Sequence, residues 1–417
     1  MKFWQISLTV LTTVFKVVQL QCISPNDDFV NASYSPDLSG ITDFGVSLYK
    51  QLSSPSSGKN FFFSPYSIWS ALTLAYFGSN GNTQRQLATT LALSDKVSTA
   101  KKWKELYNLY ERRQINNTVY TFNLANRAYF HETLNVRPCM QKLLHKEMRT
   151  VDFRDIVGSA RDINAFVSET TKGRITEIVQ PSTLRDVLMV LVNAAFFKGT
   201  WRYQFKPSAT SQKPFFINAQ DTANMAMMSQ KGMFRYGESA ALNARVLELP
   251  YAGEVISMFL LLPNPALPLE TRFESMVRNL NGKNLIEALD MNKLTFQTVD
   301  ILLPKFRFQM QINDELKVAL ARMGIIDLFD ENLADMSGFA LNEDLNIDKT
   351  IHKAFIEVNE EGTEAAAATA LISVLRAHDA REPKVIQFHC NEPFLFLIHD
   401  NQTKNVLFLG AIRNPRG

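Results

Sequence analysis

The apolar positions of this chain change period along its length. In the first 180 residues they recur at helical spacing. "ITDFGVSLYKQL" over 41–52 carries Phe44, Val46, Leu48 and Leu52 and predicts a first helix. "FFFSPYS" then offers Ser64 or Ser67 as a cap for "IWSALTLAYFG", a second helix that ends at Gly78. Between 96 and 113, Trp103, Leu106, Leu109 and Tyr110 share one helical face. "DINAFVSETTKGRITEIV" reads as a further helix stopped at Gly173. From about 185 the texture becomes that of strands: "VLMVLVNAAFFKGTW", "ARVLELPYAG", "ISMFLLLPNP" and "TVDILLPKFRFQM". "PFLFLIHDNQTKNVLFLGAI" closes the chain as a hairpin around "DNQTKN". Helices first and many strands later, with no repeat and no compositional break, predict a single α+β domain in which helices pack on large, mainly antiparallel sheets.

One stretch fits neither period. In "EEGTEAAAATALISVLR", from Glu360 to Arg376, the alanine run Ala365 to Ala368 favours a helix, yet no apolar stripe would hold that helix to a core. Taken at period two, Thr363, Ala365, Ala367 and Thr369 form one face and Glu364, Ala366, Ala368 and Ala370 the other. Alanine makes a poor strand. The loop of about 360–384 is also far longer than the usual connection of about 4 to 6 residues, and such loops are commonly functional.

Composition narrows the function classes. The 417 residues are 46% apolar and 20% charged, ample for a large core, and a net charge of +3 is too small to imply nucleic acid. Lys2 followed by "FWQISLTVLTTVF", with small residues at Cys22 and Ser24, reads as an export signal over 1–24, although Lys16 interrupts the apolar part. A buried N-terminal helix is the other reading. A polar tail over 25–40 follows, and no other run approaches the roughly 18–20 apolar residues of a membrane span. A soluble, secreted monomer is expected. Acceptor triplets at Asn31, Asn116 and Asn401 fit that compartment if they lie on exposed loops. With the leader removed, Cys139 and Cys390 remain, read as buried free thiols or as a mutual disulfide, without metal-ligand spacing. Six dispersed histidines and the lack of any phosphate loop, dinucleotide fingerprint, metal motif or nucleophile elbow leave an enzyme unsupported.

Read with its flanks, the odd stretch gains a context. "IHKAFIEVNEEGTEAAAATA" before it and "NEPFLFLIHDNQTKNVLFLGAIRNP" after it resemble the hinge and C-terminal signature of the serpins, the serine-protease inhibitors. "NFFFSPYSIWSAL", "NAFVSETTKGRI", "VLVNAAFFKGTW", "LELPY" and "LPKFRF" stand in that family's order, so the resemblance spans residues 41–417. It implies helices on three mainly antiparallel sheets and an exposed reactive loop that a protease cleaves as substrate. The cut loop then enters the main sheet as a central strand and drags the acyl-enzyme with it.

The residues meet the demands of such insertion. Thr363, Ala365 and Ala367, with Glu360 and Gly362 as the rest of the hinge, are small enough for a packed interior; Glu364 falls on the outward face, and the first proline is Pro383. In the family, the residue before the cut bond lies fourteen places after the hinge glycine. Here that is Arg376, giving the bond Arg376–Ala377 and a trypsin-like target whose carboxylate pocket takes a guanidinium. The stretch from Ala377 to Glu392 looks long for the family, so Arg381 is a second candidate cut site. The resemblance also assigns Ser64, Ser67, Asn193 and His352 to a polar cluster beneath the sheet, and Trp201 and Lys305 to the place where the loop would enter; none is catalytic. Lys101, Lys102 and Lys104, with Lys96, Arg112 and Arg113, match the helix that binds heparin-like glycosaminoglycans in some members, while interleaved Glu105 and Glu111 favour a plain solvated face. The alternative function is a non-inhibitory serpin used for carriage or storage.

Overall fold

The computed structural model describes residues 22–23, 37–53, 58–115, 117–340, 345–362 and 385–416. The first helix, α1 (Ser39–Leu52), buries Ile41, Phe44 and Leu48 along one face. After β1 (Phe61–Phe63) comes α2 (Pro65–Gly78), buried at all 14 residues. Ser64 is its cap: the hydroxyl accepts the Ser67 N–H at 3.2 Å, and Pro65 supplies the fixed φ that suits a first helical position. Next follow α3 (Gly81–Thr90) and α4 (Lys96–Gln114), which turns Trp103, Leu106 and Tyr110 inward and leaves Leu109 half-buried. Two further helices are interleaved with strands: α5 (Pro138–Leu143) follows β2 (Tyr120–His131), and α6 (Ile156–Thr170) follows β3 (Met148–Val151).

Then strands dominate: β4 (Met189–Gly199), β5 (Ser211–Phe216), β6 (Thr222–Ser239), β7 (Ala244–Pro250) and β8 (Ile256–Pro263). Two helices, α7 (Leu269–Asn279) and α8 (Gly282–Ala288), lead to β9 (Thr295–Pro304) and β10 (Phe306–Ile312). The chain ends with α9 (Asp314–Arg322), β11 (Lys349–Val358), β12 (Ile386–His389), β13 (Phe394–Asp400) and β14 (Val406–Ile412).

These strands form two sheets among the described residues, not the three expected. The five-stranded sheet runs β10-β11-β4-β2-β3; the nine-stranded one runs β1-β14-β13-β8-β7-β6-β9-β12, with β5 on β6. The long β6 is the reason: it pairs with β5, β7 and β9 at different points and so joins what would otherwise be separate sheets. Pairing is mainly antiparallel, with β2–β3, β4–β11 and β9–β12 parallel. The run "TVDILLPKFRFQM" is two strands in different sheets, divided at Lys305. The hairpin at 394–412 forms as expected.

The central strands of the five-stranded sheet, β4 and β11, are buried on both faces. Val190, Val192, Ala194 and Phe196 of β4 pack with Ile163 and Val167 of α6, while Met189, Leu191, Ala195 and Phe197 join the main core around α2. That explains the unbroken apolar run over β4.

The cysteines depart from expectation. Cys390 is a buried free thiol, but Cys139 is bonded to Cys22, with a Cα–Cα distance of 5.8 Å. Assigning Cys22 to the leader had removed the partner, yet the fold brings its residue beside the start of α5. Peptide mapping without reductant should therefore recover a Cys22–Cys139 linked pair and a single thiol, Cys390, that reacts only after unfolding. Cys139→Ser should lower unfolding free energy by about 2–4 kcal/mol in urea titration; two free thiols at 22 and 139 would exclude the bond.

Candidate functional site

The centre of the five-stranded sheet is a parallel pair. β11 lies directly on β4, from Lys349 opposite Val190 to Phe355 opposite Phe196. In register, His352 faces Asn193 and Asn193 faces Asn126 of β2, so three polar residues stand in a row across three buried strands. The row sits over the N-terminus of α2. The Ser64 N–H donates to His352 Nε2 at 3.3 Å, and the Ser64 hydroxyl donates to the Leu407 carbonyl at 2.6 Å. Asn193 Nδ2 donates to the Ser67 carbonyl at 2.9 Å and to Asn126 Oδ1. With Nε2 accepting, His352 Nδ1 carries the proton and donates to Asn193 Oδ1. Burial pushes this imidazole down from 6.5 to about 3, so the row is neutral throughout. The structure thus brings Ser64, Ser67, Asn193 and His352 together. Asn126 escaped the sequence reading because β2 was not recognised as a strand.

At the top of the seam the chain turns. Asn359 N–H donates to Gly362 O at 2.8 Å and Gly362 N–H to Asn359 O at 3.2 Å, closing a tight turn after β11. Gly362 has φ +128°, and a Cβ there would lie 2.2 Å from the Gly199 carbonyl oxygen, so this position requires glycine. The turn is latched to the chain beyond β4. Trp201 Nε1 donates to Asn359 O at 3.0 Å, Trp201 N–H to Glu361 O at 2.9 Å and Phe205 N–H to Glu360 O at 2.9 Å. The Trp201 ring stacks on Tyr251 with centroids 4.4 Å apart. Glu360 is the latch's charged part: Lys305 Nζ lies 2.8 Å from its Oε2, and the Thr210 hydroxyl donates to Oε1 at 2.7 Å. Burial works to raise the Glu360 carboxyl, but the hydrogen bonds from Lys305 and Thr210 outweigh it and hold it below the usual range. Trp201, Lys305, Glu360 and Gly362 therefore lie together, with Thr210 an addition that nothing in the sequence marks. Thr363, Ala365, Ala367, Arg376, Ala377 and Arg381 lie outside the described residues. The chain is described again from Val385 and enters the other sheet as β12, parallel to β9.

A family model described as serpin (serine protease inhibitor) matches residues 39–415. The chain belongs to the serpin family. It is accordingly a serine-protease inhibitor and not an enzyme. It is 37% identical over 383 residues to the human (Homo sapiens) leukocyte elastase inhibitor, covering 90% of this chain and 99% of that one. It is likewise 37% identical over 385 residues to Iris of Ixodes ricinus, covering 89% and 97%. Among solved structures, uncleaved ovalbumin superposes with TM-score 0.76 at 29% identity over 90% of this chain and 99% of that chain. Serpin48 of Tenebrio molitor does so with TM-score 0.76 at 28% identity over 92% and 100%.

The remaining candidates of this serpin are placed as follows. Much of the basic set on α4 is already engaged: Lys102 Nζ donates to the Asp37 carbonyl, Lys96 to the Ser79 carbonyl at 2.5 Å, and Arg113 pairs with buried Asp400 at 2.5 Å. Burial pushes Lys96 down to about 8. Lys101 and Lys104 are half-buried and Arg112 is exposed, beside Glu105 and Glu111. Asn401 is half-buried and its Nδ2 donates to Ser257 Oγ at 2.8 Å and Glu254 O at 3.0 Å, bonds that a glycan on that nitrogen would have to disturb. Asn31 and Asn116 lie outside the described residues.

His352 makes the seam sensitive to acid. Between pH 6.5 and about 3 the native imidazole stays neutral while the unfolded chain takes up a proton. Its contribution is therefore full above pH 6.5 and is lost as pH falls through that window, at up to about 1.4 kcal/mol per unit. His352→Gln should lose about 1 kcal/mol at pH 7 and show a shallower decline towards pH 4 in urea titrations; equal slopes in both proteins would contradict this origin.

Proposed function

We propose that this serpin is exported and traps trypsin-like proteases by offering Arg376–Ala377 as the cleaved bond, after which the freed loop inserts between β4 and β11. One observation carries the reading: Arg376 stands fourteen residues after Gly362, a glycine in the turn that follows β11 at a sealed parallel seam. Topology adds a physical reason. A segment that leaves the end of β11 through a turn must run antiparallel to β11, and because β4 is parallel to β11 it runs antiparallel to β4 as well. Insertion exchanges one parallel ladder for two antiparallel ones, which are the more stable kind per residue. A new strand with about 12 hydrogen bonds at roughly 1 kcal/mol net each gains on the order of 10 kcal/mol.

Export is supported by the apolar N-terminal run and by the Cys22–Cys139 bond, which belongs to an oxidising compartment. A mature chain that keeps this bond would have lost its leader before Cys22, earlier than the boundary at 24 read from small residues.

The names of the relatives favour a second reading for the target. An elastase has a small apolar pocket, and Val374 or Leu375 would suit it as the residue before the cut. Incubation with trypsin decides between them. We expect an SDS-stable complex and a released fragment starting at Ala377, with Arg376→Ala slowing trypsin inactivation by about 1,000-fold. A fragment starting at Glu382 would assign the cut to Arg381. Clean cleavage without complex would indicate a non-inhibitory serpin, and unaltered inhibition by Arg376→Ala would remove arginine from the reading.

A further inference from the structure

One edge of the five-stranded sheet is open. β3 pairs with β2 only from Ala128 to His131, so between Tyr120 and Arg127 strand β2 has a neighbour, β4, on one side only. In an antiparallel ladder alternate residues turn their N–H and C=O groups away from the partner. On β2 these are the even-numbered ones. The Tyr120 N–H donates to Asn117 Oδ1 at 3.1 Å, that of Phe122 to Gln114 Oε1 at 3.1 Å, and that of Ala128 to the Glu147 carbonyl at 2.8 Å. Leu124 and Asn126 lie between, and their outward N–H groups meet no partner among the described residues. Both residues line a cavity of about 810 Å³ between α4 and α6.

The cavity has more than a bare edge. Gln114 gives its Oε1 to Phe122, and its buried Nε2 is left without a partner among the described residues. Glu147, only 6% exposed, lines the same cavity, and no other residue hydrogen-bonds or ion-pairs with its carboxylate among the described residues. Neighbouring Lys146 is turned to Glu111 at 3.1 Å instead. Tyr107 and Tyr110 provide an aromatic wall. Unpaired edge amides, a free carboxamide donor and a buried carboxylate together call for an occupant with its own alternating donors and acceptors and a cation.

We propose that this gap binds an extended peptide segment of a partner protein, which adds to β2 as a strand and extends a Lys or Arg side chain to Glu147. Its backbone pairs with Leu124 and Asn126, its alternate apolar side chains lie on the tyrosines of α4, and the Glu147 carboxylate, rather than the balanced charge of the whole lining, selects the basic residue. The window from Phe122 to Ala128 is about 20 Å long at ~3.4 Å per residue, room for a pentapeptide. Nothing in this proposal requires the protease-trapping reading, and its test has no protease in it.

The full-length protein is titrated with two capped pentapeptides, Thr-Val-Thr-Val-Lys and its reverse, and with their norleucine analogues in place of lysine. Binding is followed by calorimetry, and amide exchange is measured with and without peptide. We expect exchange at Leu124 and Asn126 to slow at least tenfold. Glu147→Gln should weaken a lysine peptide about tenfold and leave the norleucine peptide unchanged. Leu124→Pro, at an edge position whose N–H serves no ladder, should abolish binding of both; if that variant fails to fold, the Glu147→Gln and norleucine comparison stands alone. No binding at millimolar peptide, binding without protection at Leu124 and Asn126, or equal weakening of lysine and norleucine peptides by Glu147→Gln would each overturn the proposal.

Discussion

The direct pairing of β11 with β4 is the constraint on which the rest of this molecule turns. A parallel ladder buried on both faces has apolar side chains above and below, and here a polar row of Asn126, Asn193 and His352 crosses its middle. Such a row is tolerable inside a core because its members satisfy one another and remain uncharged. It also reaches out of the sheet. Ser64 and Ser67 belong to the start of α2, the most buried helix, so the position of α2 and the closure of the seam are one arrangement.

The hinge above the seam is held differently. Its turn depends on a glycine conformation, on main-chain bonds to Trp201 and Phe205, and on the ion pair between Glu360 and Lys305. These contacts are themselves largely buried, with Trp201, Phe205 and Glu360 each under a tenth exposed, and the Lys305 ammonium is the part most open to water.

Much of this was legible in the sequence, and the misses have physical causes. Helices α1 and α4 followed from apolar spacing, because single-faced burial leaves a period to read, and α2, buried all round, followed from its Ser64 cap and its end at Gly78. β2 was overlooked since "NLANR" in its middle mixes polar and small residues, yet those residues carry the Asn126 amide of the polar row and the open edge. The very long β6, polar and half-exposed, has neither period, so the fusion of two expected sheets into one was invisible. Ser64, Ser67, Asn193, His352, Trp201 and Lys305 were recognised through ordered motifs. Asn126 and Thr210 sit in no motif, and only the fold draws them in. Cys22 was lost by being assigned to a leader before its partner was known.

Lys305 occupies a telling place. Its backbone is the single residue between β9 of one sheet and β10 of the other, its N–H is held by the Ala226 carbonyl of β6 at 2.9 Å, and its side chain grips Glu360. A pull on Glu360 is shared by the Thr210 hydroxyl, the Phe205 N–H and the Lys305 ammonium, and the last of these carries its part to the joint of the two sheets, like a strut anchored at a corner.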